Sequence, residues 1–237
     1  MSPIVTLLSK FPIKSYPPED IRDTPLENEL SSRTYYYGMD DGKRVNFTLF
    51  IGECGIDDET GVVYAMDPDC LFIQCMLGMK QGLELPRDEN PIKNAKIISV
   101  KTNDLPMLMI EDGKYLTSSE LLSDIDVKYF HLKERQWCHV LDSVVKPVWI
   151  QEQLHGGSDN TEQRYHTTRA RDTLQVLEAE YLTTIKQPHH RYFQLKLATL
   201  IFAILRGPPT PTQAYINGRC PTLSSLNPLN PLAALSG

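Results

Sequence analysis

The sequence predicts an α/β domain followed by an all-α domain. Two observations place strands early in the chain: apolar residues alternate through residues 44–51 (RVNFTLFI), and short apolar runs recur up to residue 116. A third observation concerns the later chain, where apolar residues return at helical spacing after residue 126. A sheet-containing part should therefore come first and a helical part second.

The first strand and helix of the predicted α/β domain follow the turn at 52–61. Residues 62–66 are a short apolar run that indicates a strand. Asp67 is a suitable N-cap, and proline is tolerated in the first turn that follows. Residues 69–81 are apolar on nearly every side, so we expect a buried helix that stops at Gly82. Residues 84–94 are expected to form a loop.

The remaining elements of this domain lie between residues 96 and 122. Asp112-Gly113 is a signal for a hairpin turn. The three hydroxyl residues that follow the short second strand of this hairpin can cap a helix. The order from 62 to 122 is β, α, β, β, β, α, which is the plan of a thioredoxin-like domain. The expected strands are 96–101, 105–110 and 115–116, and the hydroxyl residues are Thr117, Ser118 and Ser119.

Helices are expected from residue 126 to residue 206. Pro147 should kink or divide the first long helix because proline has no N–H and clashes with the preceding turn. Glycines at 156–157 indicate a break. Residues 161–187 are expected to form an amphipathic helix that ends at Pro188. The last helix, 190–206, is predicted to be core. Trp149 and Trp137 are expected to be core anchors.

Proline-rich segments flank the two predicted domains. They indicate an extended N-terminal arm and a poorly ordered or extended tail, neither with regular helix. The predicted organisation is an arm at 1–43, the thioredoxin-like domain at 44–126, a helical domain at 127–206 and a tail at 207–237.

Composition excludes several classes of function. The chain carries 30 acids against 24 bases, a net charge of −6, which disfavours nucleic acid as the main partner. Its five cysteines are odd in number and lack C-x-x-C spacing, which favours a reducing compartment. The charge-free part of the most apolar helix covers only residues 197–205, whereas a spanning helix needs about 20 residues. We therefore expect a protein that does not cross a membrane unaided.

The order Leu105-Pro106, Asp112-Gly113, Ser118-Ser119 resembles the glutathione S-transferase superfamily. The resemblance implies a cis-proline at Pro106 and a pocket in which an acid and a serine hold glutathione. Ser119 matches the serine, but Ser118 stands where the acid is expected, so the pocket is vestigial. Cys70, near the helix start, is either a core cysteine or a reactive thiol activated by the helix N-terminus.

Four further segments resemble the metaxin family, and most closely the small (35 kDa class) metaxin-like subunit of the fungal mitochondrial sorting and assembly machinery. The longest is MDPDCLFIQ at 66–74. The others are FPIKSY at 11–16, SRTY at 32–35 and GLELP at 82–86.

The metaxin resemblance implies a non-enzymatic, peripheral receptor on the cytosolic face of the mitochondrial outer membrane. Implied partners are the membrane β-barrel core subunit, a larger metaxin-like subunit and β-barrel precursors, whose last strand carries the signal; no cofactor and no catalytic residue are implied. The alternative is a glutathione-dependent transferase or thiol reductase using Pro106, Ser119 and Cys70.

Aromatic residues in and after the arm are candidates for contact with a partner or precursor, since tyrosine is favoured at interfaces. For the three consecutive tyrosines, packing within a strand is an equally good interpretation. No metal site is expected, because His131 and Cys138 have no further ligands at matching spacing. The candidates are Phe11, Pro12, Tyr16, Tyr35, Tyr36 and Tyr37.

Overall fold

The computed structural model describes residues 33–38, 45–87, 95–102, 104–110, 113–155, 161–185 and 187–229. Phe11, Pro12 and Tyr16 lie outside these residues, as does most of the predicted arm. Arg33–Gly237 forms one compact unit.

The described residues contain eight strands in two sheets. Six strands form one sheet in the order β5-β1-β6-β2-β7-β8, and β3 and β4 form a separate antiparallel pair. The strands are β1 Thr34–Gly38, β2 Phe47–Ile51, β3 Cys54–Ile56, β4 Val63–Ala65, β5 Glu84–Arg87, β6 Lys96–Ser99, β7 Met107–Ile110 and β8 Tyr115–Leu116.

The predicted fold class is confirmed: a thioredoxin-like α/β part precedes a helical part. Strand β2 runs parallel to β6, and helix α1 (Pro68–Gln81) connects them. Strand β7 is antiparallel to β2, β8 is antiparallel to β7, and the Leu105-Pro106 peptide bond before β7 is cis. The expected first strand at 62–66 is wrong in one respect. Its residues form β4 outside the large sheet, and β2 takes the central place.

Helix α1 has the boundaries that its sequence predicts and is buried along most of its length. Asp67 is the N-cap, and its carboxylate accepts hydrogen bonds from the N–H groups of Asp69 and Cys70 at 3.0 and 2.9 Å. Gly82 ends the helix in the left-handed conformation, with φ +67°, which glycine adopts without a Cβ penalty.

Gln74, in the middle of α1, connects the helix to β4. Its side chain is fully buried; Nε2 donates to the carbonyl of Val63 at 2.6 Å, and Oε1 accepts from the N–H of Ala65 at 2.9 Å. The amide thus pairs with β4 as a neighbouring strand would, which satisfies backbone groups that are costly to bury unpaired.

Two expectations about the edges of this domain are wrong. Residues 34–38, assigned to the arm, form β1 between β5 and β6, and residues 84–87, assigned to a loop, form β5. In β1, Tyr37 is fully buried, and its hydroxyl donates to the carbonyl of Gln74 at 2.9 Å. Long-range pairing of this kind decides a strand that is short and locally polar.

Helices form the rest of the described chain. They are α2 Ser118–Tyr129, α3 Leu132–Val140, α4 Lys146–His155, α5 Thr161–Glu180, α6 Arg191–Arg206, α7 Pro211–Arg219 and α8 Pro221–Ser224. Helix α2 runs through Asp126 and ends at Tyr129, so the next helix does not begin after Asp126 as expected. Helix α6 is buried over Phe193–Ile204, as its apolar sequence predicts.

Pro147 divides the helix as expected, through a π-helical turn at Leu141–Val145 between α3 and α4. The N–H of Lys146 donates to the carbonyl of Leu141, five residues earlier. Pro147 has no N–H to donate to the preceding turn and its ring crowds that turn, and the widened turn lies directly before it.

The prediction that the tail contains no regular helix is wrong for residues 211–224. Pro211 and Pro221 occupy first-turn positions of α7 and α8, where proline costs nothing. Thr210 is the N-cap of α7, in a capping box with Gln213. Carboxylates of other helices also accept from the first turns: Glu152 from the N–H of Thr212 at 2.9 Å, and Glu178 from the N–H of Thr222 at 2.7 Å. Ile216, on α7, is fully buried.

Among the described residues, no helix combines the length and apolar character that a membrane span requires.

Candidate functional site

The residues predicted to form a glutathione-type pocket lie near the end of β2. Gly52 follows that strand, and a Cβ placed on it would lie 3.7 Å from the Leu105 side chain. The backbone of Gly52 also lies beside the Cys70 thiol and acts to lower its pKa. The start of β7, with the buried Pro106, and the first turn of α1 thus meet at one end of the sheet.

Cys70 is a core residue in this structure, which favours the first of its two interpretations. Its side chain is 1% exposed. Burial and the nearby Asp67 carboxylate raise the pKa of the thiol well above its ordinary value. The thiolate, which is the nucleophilic form, is therefore disfavoured although the residue sits in the first turn of a helix.

The start of α2 is closed by its own side chains. Thr117 is the N-cap, and the hydroxyl accepts from the N–H of Glu120 at 3.5 Å. The Glu120 carboxylate in return accepts from the N–H and the hydroxyl of Thr117, at 3.0 and 2.9 Å. Ser118 is half-buried, and the exposed Ser119 hydroxyl lies 3.3 Å from that of Thr117. The acid expected at position 118 is thus found two positions later, as Glu120, and its carboxylate is already hydrogen-bonded to Thr117.

The spacing T-x-x-E at 117–120 is the signal of this capping box and could have been found in the sequence. It changes what the turn can do chemically. An N-terminal N–H that already has a side-chain acceptor is less able to bind a ligand carboxylate.

A cluster of charges joins the start of α1 to the helical part. Lys196 of α6 and Lys146 of α4 place their ammonium groups 2.6 and 2.5 Å from the two Asp69 oxygens. Asp142 lies 3.6 Å from Lys196. The Lys196 side chain is 8% exposed, so its charge depends on these carboxylates for solvation.

The pKa values in this charge cluster reflect burial and pairing together. Burial alone would raise the pKa of Asp69, but Lys196 and Lys146 lower it to about 2. Burial would lower the pKa of Lys196, but Asp69 and Asp142 raise it above its ordinary value. For Asp142, burial is the larger effect and the pKa is raised. The cluster is thus a buried ion-pair network with Asp69 ionised at its centre.

A surface groove of about 580 Å³ lies beside the charge cluster, bordered by Asp69, Asp142 and the outer face of α4. Apolar side chains of that face remain accessible, with Ile150 38% and Leu154 73% exposed. The chemistry offered here is apolar contact and ion pairing, and no serine, threonine or cysteine borders the groove.

The structure separates the predicted tyrosine candidates. Tyr35 and Tyr37 are buried, at 6% and 0% exposure, and belong to the core of the sheet. Tyr36, between them, points to the other face and is half-buried. For Tyr35 and Tyr37, packing in the strand is therefore the correct interpretation, and a partner cannot reach them in this conformation.

Within the described ranges, no group of three or more His, Cys, Asp or Glu side chains is arranged to hold a metal ion. His131 is exposed at the start of α3, whereas Cys138 is buried near its end.

Comparison with known proteins finds one family model and one curated protein that this chain resembles. Residues 2–110 match the family model SAM35, described as a subunit of the SAM complex. The Sorting assembly machinery 35 kDa subunit of Saccharomyces cerevisiae is 23% identical over an alignment of 176 residues that covers 66% of this chain. The match covers 54% of the yeast protein, so the chain spans about half the length of this curated relative.

Two solved structures have lower similarity. Ure2p in complex with glutathione has a TM-score of 0.41 and 12% identity, covering 83% of this chain and 96% of that chain. The CLIC homologue EXC-4 from C. elegans has a TM-score of 0.34 and 11% identity, covering 74% and 86%.

The family match contains the DPDCLFIQ segment, whose Asp67, Asp69 and Gln74 cap α1, anchor α4 and α6, and hold β4. The resemblance that the sequence predicts is thereby confirmed over residues 2–110, where this chain matches the SAM35 family model.

Proposed function

We propose that this protein is a subunit of the mitochondrial outer-membrane sorting and assembly machinery. The observation that carries the proposal is the match of residues 2–110 to SAM35. In that role the chain is a peripheral protein on the cytosolic face, held by the membrane β-barrel core subunit beside a larger metaxin-like subunit.

We further propose that it acts as a receptor for β-barrel precursors, reads their last strand and aids their insertion. An extended signal is readily bound by pairing with the edge of a sheet. Strand β8 is the outer strand of the six-stranded order and has only two residues. Around it, Tyr115 is 42% and Ile110 is 40% exposed. This edge supports the receptor role because backbone and apolar side chains are accessible together.

The charges of the molecule are compatible with such a role. Lys196 and Lys146 are both ion-paired with Asp69, and these ion pairs link the α/β part to the helical part. The surface at β8 is thus free to change its contacts without breaking that link.

The glutathione-dependent alternative rests on Pro106, Ser119 and Cys70. It requires a low-pKa thiol or a free acceptor group at the start of α2. Burial raises the pKa of Cys70, and Glu120 is committed to its own cap, so neither requirement has support. We therefore propose a non-enzymatic protein that needs no cofactor.

The test is affinity purification of a tagged full-length chain from mitochondria in mild detergent. We expect a large β-barrel protein to co-purify, together with a second metaxin-like protein. Recovery of the chain in the soluble fraction with neither protein would overturn the proposal.

The same preparation tests the receptor role by photocrosslinking to a β-barrel precursor during import. A crosslinker in place of Tyr115 should yield adducts, and so should one in the segment from Phe11 to Tyr16. Tyr165 on α5, which is 64% exposed, is the matched control and should yield none. Equal adducts at Tyr115 and Tyr165 would contradict reading at the sheet edge.

A further inference from the structure

The part of the predicted tail that the structure describes beyond Gly207, residues 208–229, makes its backbone hydrogen bonds internally. We call it the C-terminal strap. It contains α7 and α8, and the exposed Pro208 and Pro209, which have no N–H to donate, connect it to α6. Among the described residues, the backbone-to-backbone hydrogen bonds of the strap stay within it, as from Cys220 to Ile216 at 3.0 Å. The strap thus has the connectivity of a separate unit.

Two carboxylates hold the strap on the other helices, one at the start of each of its own helices. Glu152 of α4 accepts at the start of α7. Glu178 of α5 accepts from the N–H groups of Thr222 and Leu223 at 2.7 and 2.8 Å. Both acids lie where a helix presents unpaired N–H groups and the positive end of its dipole, so the polar attachment is concentrated at these two points.

Apolar side chains of the strap complete the core of the helical part. Ile216, Cys220 and Leu223 are fully buried and belong to the main hydrophobic cluster. Release of the strap would expose them together with the surface of α4, α5 and α6 that they cover. The hydrophobic effect therefore keeps the strap closed for most of the time.

The contact between the strap and the other helices contains several buried polar atoms without a partner. Glu152 and Thr212 meet across this contact through their other polar atoms. The guanidinium carbon of Arg171 lies 5.6 Å from the centre of the Tyr215 ring on α7. Trp149 lines a groove together with Gly207 and Pro208, where the strap begins. Within the described residues, the buried side-chain atoms that lack a hydrogen-bond partner are Trp149 Nε1, Glu152 Oε1, Arg171 Nε and Thr212 Oγ1.

These unpaired atoms favour opening of the strap. A polar group that is buried without a partner has lost its hydrogen bonds to water and gained none in return. When the strap leaves, water enters this contact and the groups recover hydrogen bonds. The gain arises at the same contact where apolar side chains become exposed, so it offsets part of the cost of opening.

We propose that the C-terminal strap opens as one unit while the rest of the chain stays folded, and so uncovers the apolar surface of α4, α5 and α6. Parts of a protein can open separately at a lower free energy than global unfolding. The strap controls access to this surface, and Glu152 and Glu178 determine how often it opens. The strap is a property of the chain alone and does not depend on the function proposed above.

The test is backbone hydrogen exchange, followed by NMR in the isolated full chain at urea concentrations below the global transition. The N–H groups of Cys220 and Ser224 report on the strap, and that of Ile201 reports on α6. We expect the two strap amides to exchange about 100-fold faster than Ile201 and with one common dependence on urea, as a single opening requires.

Two carboxylate variants test whether α7 and α8 open together. Glu178→Gln keeps the shape of the side chain and removes its charge at the start of α8. We expect exchange to accelerate about tenfold at Ser224 and equally at Ala214 in α7. Glu152→Gln should act in the same way from the other end. Asp172→Asn, an exposed acid on the same helix as Glu178, is the matched control and should leave exchange unchanged.

A third variant tests the unpaired atoms. Thr212→Val keeps the shape of a fully buried side chain and removes its hydroxyl. The closed form then no longer buries this group unpaired, so exchange at Cys220 should slow about threefold. Exchange at Ile201 should stay the same.

Exchange of Cys220, Ser224 and Ile201 at one common rate would overturn the proposal, because the strap would then open only in global unfolding. Acceleration confined to α8 in Glu178→Gln would also overturn it, since that result indicates fraying of one helix. Faster exchange in Thr212→Val would contradict the role of the unpaired atoms. Co-purification with a β-barrel protein is independent of each of these outcomes, so either proposal can fail alone.

Discussion

The starts of α1 and α2 share one local feature, a capping residue followed by an acid, but the first is largely buried and the second is exposed. Each has an N-cap side chain followed by an acid in the first turn: Asp67 and Asp69 in α1, Thr117 and Glu120 in α2. In α2 the acid closes on its own turn, and every group is exposed. In α1 the acid is bound by lysines 77 and 127 positions away in the sequence.

The difference shows that burial decides what a helix start contributes. The capping box of α2 stabilises one exposed helix and is weakened by competition with water. At α1, removing charges from water is costly, so each buried ion must keep its partners. The capping box of α2 thus acts locally, whereas the ion pairs of Asp69 couple the packing of α4 against α1 to the packing of α6 against α1.

The largest effect is expected from Lys196→Met. The variant retains the apolar stem of the side chain but leaves Asp69 and Asp142 with one fewer cation in a buried site. We expect the free energy of unfolding in urea to fall by about 3 kcal/mol. Lys128→Met, which removes an exposed pair with Asp124 on α2, is the control and should leave the unfolding midpoint unchanged. Equal losses in the two variants would remove the distinction between the helix starts.

An intermediate effect is expected when pH is lowered. The pKa of Asp69 is held at about 2, below the ordinary value of 3.8, so the folded state binds this proton less tightly than the unfolded state. The stability from Asp69 is present above pH 3.8 and is lost as pH falls toward 2, in total about 2 kcal/mol.

Asp126 and Asp142 change the stability in the opposite direction as pH falls. Burial raises their pKa values, so they add stability as pH falls toward 3.8. Urea unfolding from about pH 5 to about pH 3 should therefore show a shallow rise followed by a loss. Asp69→Asn should retain the rise and lack most of the loss, whereas the exposed Asp58→Asn should follow the wild type. If Asp69→Asn still lost stability toward about pH 3 as the wild type does, the pairing of Asp69 with the lysines would not be the cause of that loss.

The smallest effect is expected at α2. Thr117→Ala removes both the N-cap hydroxyl and a partner of Glu120, which should lower the free energy of unfolding by about 1 kcal/mol. Ser119→Ala, which removes a neighbouring exposed hydroxyl, is the control. A loss as large as that of Lys196→Met would show that the start of α2 is coupled to the rest of the molecule.

Local signals were sufficient for much of the fold. Strand β2, helix α1 with its two ends, the β7–β8 pair and the buried α6 follow from alternation, capping residues and apolar composition. Strands β1 and β5 were missed because their pairing partners are distant in the sequence. Helix α7 was missed although its capping box, Thr210 with Gln213, is a local signal, whereas the start of α8 depends on Glu178 of another helix.

The candidate site was less predictable. The sequence left Cys70 as either a core residue or a reactive thiol, and burial beside Asp67 decides for the core. It placed Trp149 in the core but contained no sign that its N–H lacks an acceptor. Such a property depends on every neighbour that packs around the indole.

The sequence by itself determined that an α/β part precedes a helical part, where α1 begins and ends, and that residues 2–110 resemble SAM35, because capping, periodicity and a long matching segment are local properties. Only the tertiary structure decided that Asp69 is bound by two lysines, that Tyr35 and Tyr37 are buried in the sheet, and that Trp149 lines a groove. These facts depend on desolvation and on contacts between residues far apart in the chain, which no local pattern records.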